Sequence, residues 1–110
     1  MNHLSEKRCR LVEDDEKSLE GDDLTHYMAQ LDIDWDVVDG RYLARVIHFP
    51  DHGEAVELIN YISDIAMSEE HYPDLMLSYG ELKVRMNTSE VDGIHENDFI
   101  IAAKIDRLLD

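Results

Sequence analysis

The sequence predicts an α+β domain: a four-stranded antiparallel sheet with three helices packed on one face, in the order helix, hairpin, helix, hairpin, helix. Three observations carry this prediction. Asp39-Gly40 separates two β-rich runs, and both residues of such a turn need positive φ. Leu82, Val84 and Met86 alternate with Lys83, Arg85 and Asn87, the period of a half-buried strand. Between these two features, Ala55, Leu58, Ile59, Ile62, Ile65 and Ala66 recur at helical spacing.

The elements follow in order. Residues 1–21 read as an acidic, flexible tail, because Glu13-Asp14-Asp15-Glu16 is a charge run and Leu4, Leu11, Val12 and Leu19 support a helix only weakly. Residues 22–110 read as the folded domain. Asp23 is placed to cap a first helix with Leu24, Tyr27, Met28 and Leu31 on one face. Trp35 to Val38 and Arg41 to Phe49 form the first hairpin. Pro50 and Gly53 close it, and Asp51 with Glu54 reads as the capping box of a second helix. That helix ends near Glu70, ahead of Pro73. Leu75, Leu77 and Tyr79 alternate along a third strand, and Gly80-Glu81 turns into the fourth. A loop containing Gly93 leads to a third helix, Glu96 to Leu109. The sheet face away from the helices is expected to carry Lys83 and Arg85, with Arg45 beside them. An open strand edge invites pairing with a second copy, so a homodimer is expected.

Composition narrows the function classes. The chain has 110 residues, which suits one domain, and 44% are hydrophobic, too many for a wholly disordered chain. The formal net charge of −16 disfavours binding to nucleic acid or to anionic membranes. No apolar run approaches the roughly 18 residues of a bilayer span, and Met1 to Glu20 holds no apolar signal core, so a cytoplasmic location is expected. The single cysteine, Cys9, lies in the polar stretch and reads as a solvent-exposed bystander.

His71-Tyr72-Pro73-Asp74, then Tyr79, then Asp98 opening an apolar helix, resembles the active-site region of the pterin-4a-carbinolamine dehydratases. Val46-Ile47-His48-Phe49-Pro50-Asp51 and the helix after it resemble that family's second strand and second helix. The likeness runs ungapped from Leu43 to Ile105 and covers roughly residues 24–109. These enzymes remove water from a hydroxylated tetrahydropterin, which takes a proton donor near the hydroxyl and a base near a ring nitrogen. Imidazole suits both roles because it titrates near neutrality.

The resemblance implies a site of two adjacent histidines, a third histidine after the last strand and an aspartate on the final helix. Here the first histidine is His71, the second falls on Tyr72, the third on Ser89, and the aspartate is Asp98. Met67 stands where an acidic or basic residue is expected, and His52 where an aromatic one is. A phenol titrates near pH 10 and a serine hydroxyl needs a base of its own, so the site reads as catalytically degenerate. Each residue also has a plainer structural role. His71 can complement a helix C-terminus, Tyr72 can be a half-buried loop aromatic, and Asp98 can satisfy free N–H groups in a first helical turn.

No cofactor and no metal is implied. Glu69, Glu70, His71 and Asp74 match no tight metal-site spacing, and His95-Glu96 lacks the second histidine of a zinc motif, Phe99 standing in its place. Lys83 and Arg85 are either ordinary outward strand residues or a basic stripe able to dock a carboxylate-rich segment; Arg45, Tyr72, Lys83 and Arg85 are the candidate partner-binding residues. A dehydratase-like scaffold with a degraded site is similar to the dehydratase-like proteins of α-carboxysome bacteria. That resemblance implies a non-catalytic RuBisCO assembly factor that binds the RuBisCO large subunit and associates with carboxysomes. Two other readings stand beside it: a weak 4a-hydroxytetrahydropterin dehydratase, and a dimerisation cofactor for another protein.

Overall fold

The structure, a computed structural model, describes residues 4–109. Its elements are α1 (Gly21–Met28), β1 (Asp36–Val38), β2 (Tyr42–His48), α2 (His52–Glu69), β3 (Asp74–Ser78), β4 (Glu81–Met86) and α3 (Glu96–Leu109). Short 3-10 turns cover Leu4–Glu6 and Ser89–Val91. The sheet is antiparallel throughout, in the order β1-β2-β4-β3, so β1 and β3 are its edges. This is the α+β architecture that the sequence predicts.

Local chemistry explains most boundaries. Asp39 and Gly40 take φ of 55° and 68°, the left-handed pair that lets a two-residue turn follow the strand twist. The Asp51 carboxylate accepts the Glu54 N–H at 2.8 Å and fixes the start of α2. At the other end Glu70 turns left-handed (φ 56°) and its N–H bonds back to Ala66, stopping the helix before Pro73. The α1 cap differs from expectation. Glu20 occupies it without a side-chain hydrogen bond, and Asp23 lies inside the first turn, where its charge suits the dipole. Strand β3 stops at Ser78, leaving Tyr79 exposed in the turn with Gly80.

One core lies between the sheet and the helices. Leu43, Ile47, Leu82, Val84 and Met86 face Ile62, Phe99, Ile101 and Ile105. The opposite sheet face is uncovered and carries Val46, Met76, Lys83 and Arg85.

Arg45 is not on that open face. It pairs across the sheet with Val84, so it shares the helix-covered side, and its side chain is only 10% exposed. Its Nη1 donates to Asp106 Oδ1 on α3 at 2.6 Å. The same carboxylate accepts the Trp35 indole N–H at 2.6 Å and the Asp32 N–H at 2.9 Å. Burial pushes the Asp106 carboxyl above its ordinary range, although these donors and the guanidinium pull it down. Arg45 therefore ties the α1–β1 connection and the sheet to α3.

The sequence leads one to expect a flexible tail over residues 1–21, of which residues 1–3 lie outside the described residues. Instead the described part of this segment packs on the domain: Leu4 is 2% exposed in the core, and the Leu19 N–H bonds to Ile94 O at 2.8 Å. Gly93 makes room for the passage, since a Cβ there would meet Ser18 Cβ at 2.7 Å. Arg45→Met should cost about 3 kcal/mol in urea unfolding, because it strands a buried carboxylate. Lys83→Met, on the open face, should stay within about 0.5 kcal/mol.

Candidate functional site

Asp98 is fully buried in the first turn of α3, and both its oxygens are engaged. Oδ2 accepts the Thr88 hydroxyl at 2.8 Å and the His95 N–H at 2.9 Å. Oδ1 lies 2.6 Å from His71 Nε2. Three chain segments thus meet at one carboxylate: the exit of β4, the entry to α3 and the turn that follows α2. The His95 side chain completes the helix start. Its Nδ1 accepts the Asn97 N–H at 3.0 Å, so Nε2 carries the proton toward Glu16 Oε1, also 3.0 Å away. This is a capping box with His95 as the cap and Asp98 reaching back, an arrangement the sequence motif His95-x-x-Asp98 could have announced.

Of the four positions predicted as a vestigial site, the structure brings two together. Half-buried His71 and fully buried Asp98 form the pair. Tyr72 is 62% exposed and lies with Met67, Pro73 and Leu75 along a separate apolar cavity of about 230 Å³. Ser89 is exposed at the start of the 3-10 turn, its hydroxyl donating to Glu90. Met67 is exposed, and His52 is an exposed residue at the start of α2. Among the candidate partner residues, Lys83 and Arg85 share the open sheet face, with Arg85 stacked 4.9 Å from the Tyr42 ring and 3.5 Å from Asp74. Arg45 and Tyr72 lie apart from them. Among the described residues no three His, Cys, Asp or Glu side chains converge as metal ligands would.

The segment before α1 supplies groups that the sequence reading missed. A cleft of about 350 Å³ has His71, Glu69 and Glu70 on one side and Arg8 to Val12 on the other. Glu69 is nearly buried. It accepts the Cys9 N–H at 2.7 Å and pairs with Arg8 Nε at 2.8 Å. The Arg10 backbone exchanges two hydrogen bonds with the Asn97 amide, at 3.0 and 2.7 Å. The Arg10 guanidinium grips both oxygens of Glu16, at 2.9 and 2.8 Å. Lys7 pairs with Glu96 at 2.9 Å, and the Tyr27 hydroxyl donates to the same carboxylate. Cys9 is half-buried rather than exposed. Burial, reinforced by the Glu69 carboxylate, pushes its thiol up to about 12. No hydrophobic period marks this segment, because polar bonds to distant residues hold it.

The sequence pattern described as Pterin 4 alpha carbinolamine dehydratase matches residues 17–108, and the chain belongs to that family. Similar proteins include one from Alkaliphilus metalliredigens, 36% identical over 97% of this chain and 96% of the relative, and one from Rubrobacter xylanophilus, 34% identical over 98% and 100%. The names of both place them among the pterin-4-alpha-carbinolamine dehydratases. A solved structure from Brucella melitensis, described as a transcriptional coactivator/pterin dehydratase, shares the fold with a TM-score of 0.80 at 24% identity, over 86% of this chain and all of that one. Among the described residues no helix is long and apolar enough to cross a membrane.

The Glu16 contacts carry a pH prediction. The Arg10 hydrogen bonds, then the Glu13 N–H, hold the Glu16 carboxyl well below its usual value of 4.5. A depressed folded-state value gives stability that is present above the unfolded value and is lost as pH falls below it. The urea midpoint should therefore drop between about pH 5 and about pH 3, and Glu16→Gln should flatten that part of the profile.

Proposed function

We propose that this chain is an interaction protein built on the dehydratase scaffold, with its proton-transfer site reduced below what dehydration requires. The observation that carries this reading is the single imidazole of the site. His71 sits against Asp98, while Tyr72 and Ser89, at the other two histidine positions, are exposed and turned to other surroundings. Each well-placed acid–base group contributes on the order of 10²–10⁴-fold, so two absent imidazoles leave little of the rate.

The surface suited to a partner is the open sheet face. Val46 and Met76 are exposed there around Lys83 and Arg85, and a groove of about 170 Å³ runs between them. In a chain of net charge −16, two cations on an apolar face favour a partner segment bearing carboxylates. The finer form of the proposal names the RuBisCO large subunit as that partner and the role as RuBisCO assembly, in a cytoplasm holding α-carboxysomes. Its support is the likeness to dehydratase-like proteins with degraded sites. A second copy pairing along the open edge of β1 or β3 would give the homodimer.

A second reading, a dehydratase of low turnover, draws on the cleft that opens at His71. In that reading His71 and Asp98 share the proton transfers. From the sequence that reading has Tyr72 packing on the pterin; in the structure Tyr72 lines the other cavity instead.

Two experiments test the proposal. Immobilised protein should retain RuBisCO large subunit and raise the yield of assembled enzyme, and Lys83→Glu with Arg85→Glu should abolish both effects; no retention by the wild type would remove the RuBisCO partner. Restoring imidazoles in a Tyr72→His, Ser89→His double variant should raise carbinolamine dehydration by about 10²-fold or more over the wild type. An unchanged rate would mean that something other than the missing histidines limits the site.

A further inference from the structure

The segment from Lys7 to Glu16 lies before residues 17–108, which the family pattern matches, and it builds one wall of the His71 cleft. It is anchored at both ends, by Leu4 in the core and by the Leu19–Ile94 backbone bond. Between these anchors the contacts to the domain are almost all polar: Lys7–Glu96, Arg8–Glu69, Cys9–Glu69, Arg10–Asn97 and Glu16–His95. Leu11, the large apolar residue midway along, is 92% exposed. A segment fixed at its ends by apolar and backbone contacts, and across its middle by polar pairs in which Lys7, Arg8 and Arg10 stay exposed while their partners are mostly covered, opens at a lower free energy than the core does.

We propose that Lys7–Glu16 is a strap that gates access to His71, latched by the Arg10–Glu16–His95 chain and the Arg8–Glu69 pair. Lifting the strap removes one wall of the cleft and bares the side of His71 that faces it. The gate is independent of whether His71 performs chemistry or receives a partner's side chain. Cys9 lies within the strap with its Sγ turned to the domain, 3.7 Å from Asn97 O, and is the chain's single cysteine, so its thiol reports the gate directly. Closed, the thiol is half-buried and holds almost no thiolate near neutral pH; open, it behaves as an ordinary cysteine.

The test is the rate at which dithiobis(nitrobenzoate) reacts with Cys9 in the full folded chain. The native thiol should react about 100-fold more slowly than in the urea-unfolded chain. Arg10→Ala and Glu16→Gln should each speed the native reaction about tenfold, while the fluorescence of buried Trp35 still reports a folded domain. The native rate should stay nearly flat in urea well below the unfolding midpoint, the mark of local opening. Carbethoxylation of His71, located by mass spectrometry, should rise with the thiol rate across the variants. The strap is overturned by a native thiol as fast as the unfolded one, by variants that leave the rate unchanged, by a rate that follows global unfolding, or by His71 modification that ignores the thiol rate.

Discussion

The buried carboxylate of Asp98 is the constraint on which the rest of the structure depends. A fully buried carboxylate is costly unless every lone pair finds a donor. Here the donors come from three directions: the Thr88 hydroxyl, the His95 backbone and the His71 ring. Meeting that demand fixes where β4 ends, where α3 begins and how the chain leaves α2. The left-handed turn at Glu70 then follows, since the chain must reverse there to bring His71 under α3.

The same geometry separates scaffold from chemistry. Asp98 and His71 hold their places because the fold needs them, whatever becomes of the neighbouring positions. Tyr72 and Ser89 are free of that demand and are exposed. The aspartate–histidine pair can in this way persist as a structural contact, whatever stands at the neighbouring positions. The surfaces left uncovered, the open sheet face and the edges β1 and β3, are where an interaction role would be exercised.

Much of this was legible in the sequence, for local reasons. Turn chemistry placed Asp39-Gly40, and apolar periods placed α2, β4 and α3 within a residue or two. The family likeness found His71 and Asp98. What escaped depends on partners far away in the chain. Arg45 was grouped with the open face, although the parity of Leu43 and Ile47 puts it inside; what makes its burial tolerable is Asp106, 61 residues later. The segment before α1 looked like a tail because ion pairs with Glu69 and Glu96, and amide bonds with Asn97, leave no hydrophobic period. Cys9 was read as exposed for the same reason. His95-Glu96 resembles the start of a zinc motif, whereas the spacing of His95 to Asp98 is that of a capping box.

We propose that one imidazole against a buried aspartate falls short of running the dehydration. The most direct measurement is the decay of 4a-hydroxytetrahydropterin at high concentrations of the wild-type protein, with the His71→Ala variant alongside. Both decay curves should coincide with the uncatalysed one. Fast turnover by the wild type that disappears in His71→Ala would contradict it.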